Sequence, residues 1–158
     1  MIPERIAEHL QGPSFIQVAT RNAELRPAHA HVLGAFVHDD KRTVTFFIHE
    51  KRAKRILADL EQNRRVALEA AQASHEAYQL KGEYVSSRPS SEEDYAVQEA
   101  YKKNIVVGLM QFFPEELARP IAAIESDYRP SIAITFRVEE IFLQTPGPGA
   151  GTKMVETE

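Results

Sequence analysis

Lys51, Arg52, Lys54 and Arg55 put four cations into five consecutive positions, and the chemistry open to such a cluster is the capture of an anion. They lie within residues 44–68, VTFFIHEKRAKRILADLEQNRRVAL, where an apolar strand runs into a helix that closes at Asn63 and a second strand follows. Ala53, Ile56, Leu57 and Leu60 recur at i, i+3, i+4 and i+7, which makes one buried stripe. The cations therefore crowd the first turns, where the positive end of the helix dipole favours acidic side chains. A bound phosphate would reverse that cost, because backbone N–H groups and cationic side chains would converge on it. The alternative is a solvated basic face.

Other groups with chemical potential are fewer. His29 and His31 form an H-x-H pair on one strand, so both rings point to one face about 7 Å apart. Such a pair can be half of a metal site, line a cofactor or dimer pocket, or sit as ordinary rim histidines. His38, His49 and His75 show no spacing that completes a ligand set, and no metal is expected. Gln79 and Lys81 share one face of a strand, open either to a cofactor or to solvent. The serines gather at 86–91, a turn and helix cap, so no Ser–His–Asp arrangement emerges.

The elements that must position these groups follow from periodicity. A short helix is expected over residues 2–10, ended by Gly12-Pro13. Strands are expected over 14–20, 27–38 and 43–49 as a three-strand meander, then over 65–70, 78–86 and 131–142. Ser90 or Ser91 caps a helix whose first turn is acidic and which continues to Tyr101 or Val107. A second short helix starts near Pro114 and ends near Ile124. The tail, residues 145–158, has the Pro and Gly density of irregular chain. The whole is one domain, mainly β with helical additions at about 91–124: six strands in an antiparallel barrel. A βαβα alternation, G-x-G-x-x-G and G-x-x-x-x-G-K-[ST] are all absent, which argues against a parallel nucleotide-binding sheet.

Composition narrows the classes further. At 158 residues, 43% hydrophobic and net charge −4, the chain fits one globular domain with no electrostatic pull toward nucleic acid or an anionic membrane. It contains no cysteine, hence no disulfide framework, thiolate metal site or cysteine nucleophile. The charged start MIPERIAEHL is unlike a signal peptide, and a cytoplasmic protein is expected.

Three segments, VATRNAELRP, TFFIHEKRAKRIL…NRRVAL and YQLKGEYV, in this order and spacing, resemble the split-barrel flavin-binding proteins related to pyridoxamine 5′-phosphate oxidase. The ending VEEIFLQTPGPGAG is similar to an uncharacterised subgroup of that family. The resemblance covers roughly residues 12–88 and 131–151. It implies a six-stranded split barrel, a homodimer, and flavin mononucleotide (FMN) at the subunit interface. It places the ring along residues 30–33, including His31, Val32 and Leu33, with Gly34 permitting close approach. It also sets Phe47 and Ile48 beside the ribityl and phosphate. The phosphate falls to the helix start, where Lys54 takes the family's lysine position and Arg52 its serine; the choice among Lys51, Arg52 and Lys54 stays open.

There are departures. Ala30 stands at the family's strand-two arginine, and Ala77 at its glutamine, with Gln79 two residues on. No tryptophan is present, so the oxidase's C-terminal signature for pyridoxal phosphate substrates has no counterpart. The resemblance thus implies an FMN-dependent oxidoreductase that does not oxidise pyridoxamine phosphate. Deazaflavin F420, heme or no cofactor are the alternatives, the last as a carrier or binding module. Residues 32, 33 and 35–37 give strand two apolar side chains on both faces, so its outer face is expected to meet a partner subunit.

Overall fold

The computed structural model describes residues 1–123 and 129–156. In chain order the elements are α1 (Glu4–Gln11), β1 (Ser14–Arg21), β2 (Pro27–His31), β3 (Ala35–Val37), β4 (Thr43–His49), α2 (Glu50–Asn63), β5 (Arg65–Gln72), β6 (Ala77–Pro89), α3 (Glu92–Leu109), α4 (Glu115–Ala122), β7 (Ser131–Leu143) and β8 (Lys153–Glu156). Every strand pairing is antiparallel, in the order β2-β1-β5-β6-β7-β4-β3, with β8 on β7. The architecture is a split barrel with helical additions.

The strand expected over 27–38 is two strands, and the reason is closure. β2 and β3 are the two ends of the sheet. Between them the Val32 N–H donates to the Ile16 carbonyl at 3.0 Å, on β1, while the Leu33 N–H donates to the Phe47 carbonyl at 2.7 Å, on β4. Adjacent residues thus bond β1 and β4, so this one segment bridges the two ends of the sheet and draws it into a barrel. Gly34 makes the bend at φ +126, and a Cβ there would lie 3.1 Å from the Tyr101 Cβ. On the side where a side chain would project, Gly34 is thus close-packed against α3.

Alternation along each strand fills the interior. Ile16 and Val18 of β1 and Val66, Leu68 and Ala70 of β5 join Phe46, Phe136 and Val138 in the main core, capped by Ile2, Ile6 and Leu10 beside and on α1. The α2 stripe is as expected: Ala53, Ile56 and Leu60 are buried and Leu57 packs against them. A second cluster, Leu33, Phe47 and Ala133, lies under Val97 of α3.

The surplus of apolar residues in strand two is thereby absorbed within the chain. Val32 and Ala35 are in the main core with Val37 packed on it, and Leu33 and Phe36 belong to the cluster under α3. The inference of a partner from that surplus does not hold.

α3 is fastened at both ends of its first turns. Ser91 and Asp94 form a reciprocal capping box, and the buried Gln98 amide donates to the Ser131 hydroxyl at 2.9 Å. Helix α4 ends at Ala122, and Ile124, the expected end of this lobe, lies outside the described residues. The tail departs from expectation: Lys153–Glu156 adds a strand to β7. No described helix is long and apolar enough to cross a membrane.

Candidate functional site: a basic cleft at the β4–α2 junction

The helix that carries the cations is held by three separate contacts. His49 caps it, its Nδ1 accepting the Lys51 N–H at 3.1 Å. The Glu50 N–H donates to the Pro130 carbonyl at 3.0 Å. Further along, the buried Asp59 accepts from the Arg55 Nε at 3.0 Å and from the Thr20 hydroxyl at 2.8 Å, which ties α2 to the end of β1.

Lys51, Arg52 and Lys54 are exposed and, with Ala28 and His29 of β2, line a cleft of about 510 Å³. Arg55 lies in its wall but is engaged, with its Nη2 on the Arg26 carbonyl at 3.2 Å. Lys51 and Lys54 stand at i and i+3 on one helix face, beside an Arg55 already paired with Asp59, and two like charges so placed cost free energy without a counterion. Because the Glu50 and Lys51 N–H groups already have partners, an anion in this cleft would be held mainly by side chains.

The remaining expected site residues divide into two groups. Val32, Leu33, Phe47 and Ile48 are buried in the chain's own clusters, and their side chains do not line the cleft. The Phe47 N–H and carbonyl are also engaged, with Gly34 and Leu33. His31 and Gln79 fall instead on the barrel's outer face in one cross-strand row, His31–Gln17–Glu69–Gln79. Ala30 and Ala77, at the positions of the family's arginine and glutamine, are both buried. Sequence reasoning offered His29 with His31 as a possible pocket pair and took only His31 into the flavin site, whereas the cleft is lined by His29.

A second cleft, of about 780 Å³, opens on the outer face of β1, β5 and β6 and is lined by Arg21, Arg65, Lys81 and Lys153 among others. Nothing in the sequence patterns drew these residues together.

The match to known families is decisive at this point. The model of the family described as pyridoxamine 5′-phosphate oxidase matches residues 2–144. The chain belongs to that family. Among solved structures it is similar to Group A Streptococcus HupZ, at 20% identity over 96% of this chain and 100% of that one, with a TM-score of 0.54. An F420 reductase is 14% identical over 89% and 98%, TM-score 0.57. An FMN-binding protein from Syntrophomonas wolfei is 9% identical over 96% and 86%, TM-score 0.54. At these identities the likeness is one of fold. No curated protein matches the chain.

Proposed function

We propose that this family member binds FMN, with the flavin phosphate in the cleft on α2, and acts as an oxidoreductase on a substrate other than pyridoxamine phosphate. The observation that carries this reading is the convergence of Lys51, Arg52, Lys54 and His29 on one cleft, at a helix start where their charge is otherwise unfavourable. The fold is shared with a protein named for FMN binding, and the chain has no tryptophan for the oxidase's C-terminal signature. Bound flavin would supply the hydride chemistry, and the chain would supply position and charge.

The functional unit of this reading is a homodimer. Its support is the five large apolar side chains Val107, Met110, Phe112, Phe113 and Leu117, all exposed and all close in sequence around the α3–α4 connection, since clustered exposed apolar side chains mark contact surfaces.

A second reading has its own observation. Alanine at positions 30 and 77 supplies neither of the polar side chains that the resemblance expects there, which favours a weak flavin carrier, an F420 or heme protein, or a cofactor-free module. The absorption spectrum of the purified protein separates these. Bands near about 370 and 450 nm are expected for flavin, whereas a Soret band or a colourless protein that stays colourless with added FMN supports the second reading.

A further inference from the structure

We propose that the outer face of the barrel carries a second anion site, formed by Arg21, Arg65, Lys81 and Lys153 and suited to a small molecule bearing two or more anionic groups. None of these four residues is used by the flavin reading, so the two proposals stand or fall separately.

The site is assembled by register. Ala19 of β1 lies opposite Ala67 of β5, and Ala67 lies opposite Lys81 of β6, which lies opposite Glu140 of β7. One row along, the same outward positions carry Gln17, Glu69 and Gln79. Alanine at two adjacent positions leaves a depressed floor where its neighbours carry long polar side chains. Arg21 and Arg65 flank that floor from two residues away on the same face of their strands, and Lys153 closes it from β8. The resulting cleft is about 780 Å³, within the usual range for a small-molecule site.

Its charge is positive. Two carboxylates, Glu139 and Glu140, line it against four cations, an excess of two. Glu139 accepts from Arg65 at 2.7 Å and Glu140 pairs with Lys153 at 2.9 Å. Lys81 is turned onto the Phe142 ring, 4.5 Å from its centre. The Lys153 hydrogen bond, aided by Lys81 and Arg65 at longer range, holds the Glu140 carboxyl below its ordinary value. A carboxylate arriving from solution meets the same field. Guanidinium groups at Arg21 and Arg65 offer planar, paired donors that match carboxylate or phosphate oxygens. A single charge would leave the excess half answered, and two or more answer it.

Isothermal titration of citrate and of pyrophosphate into the full-length protein at low ionic strength tests this. Saturable binding of at least one is expected, weakening with added salt, and weakening about 10-fold or more in Arg65→Gln and in Lys81→Met. Lys81→Met keeps the packing on Phe142, so it decides the matter if the Arg65 variant fails to fold. Preference for citrate marks a carboxylate site, and preference for pyrophosphate a phosphate site. Absence of saturable heat with either anion overturns the proposal. So does unchanged affinity in Lys81→Met, or loss of binding in Arg52→Ala with Lys54→Ala, which would place the anion on α2.

Discussion

Single side chains on α2 have opposite roles although all four are cations. Arg55 neutralises a carboxylate, Asp59, that is 1% exposed, whereas Lys51, Arg52 and Lys54 face water in the cleft. Urea unfolding without ligand should therefore show Arg55→Ala destabilised by about 1–2 kcal/mol, because among the described residues Asp59 would keep Thr20 alone as a side-chain partner. Arg52→Ala and Lys54→Ala should be neutral or stabilised by about 0.5 kcal/mol, since each removes a charge that opposes the helix dipole. Equal losses at all three positions would remove the distinction between structural and binding cations.

Asp94 sets a pH limit. Burial pushes its carboxyl up, but the Arg88 guanidinium, the Ser91 N–H and the Ser91 hydroxyl outweigh this and hold it below its ordinary value. A depressed folded-state value stabilises the fold above the unfolded value of about 3.9 and is lost as pH falls through the folded one. The acid limb of stability below about pH 5 should be shallower in Asp94→Asn than in the parent. The sequence S-S-E-E-D showed a cap at Ser90 or Ser91 and an acidic first turn, but it did not single out Asp94 or bring in Arg88. Arg88 reaches Asp94 only because β6 extends to Pro89 and runs directly into α3.

Among elements, β2 and β3 carry the most consequence for so few residues. Periodicity marks residues 27–38 as extended and apolar, which is correct locally. It contains no information on which edge each half bonds, because that depends on where β1 and β4 lie once the barrel closes. The one local sign was Gly34, and its neighbour turned out to be Tyr101. Gly34→Ala combines a positive φ with a 3.1 Å approach to Tyr101, so thermal denaturation should show a loss of about 1–3 kcal/mol. A variant as stable as the parent would mean that this bend is not required for closure. The tail strand β8 was illegible for a related reason. Its sequence KMVE follows a Pro- and Gly-rich stretch, and its extended form comes from pairing with β7.

For the molecule as a whole, an antiparallel barrel with helices after β6 was readable from strand spacing, whereas the strand order and the count of eight strands in place of six were not. The site was readable only in part, since the sequence shows charge and not depth. It located Lys51, Arg52 and Lys54, which the fold brings to one cleft. It also named Val32, Leu33, Phe47 and Ile48, whose apolar character equally fits the core that holds them. Dimerisation, on this account, falls to the exposed apolar residues near the α3–α4 connection. Sedimentation should give a species of twice 17.8 kDa, and Phe112→Ser with Leu117→Ser should shift it toward monomer. A stable monomer of the parent at micromolar concentration would contradict that assignment.

The central claim is that the α2 cations exist to hold a flavin phosphate, and flavin fluorescence titration measures it most directly. Titrating FMN against the parent and an Arg52→Ala, Lys54→Ala double variant, with circular dichroism to establish that both are folded, should give saturable binding to the parent. Each lost charge-assisted hydrogen bond should weaken affinity roughly 10- to 150-fold. Equal affinity in the two proteins, or no binding to the parent at saturating FMN, would contradict the claim and return the cluster to a solvated basic face.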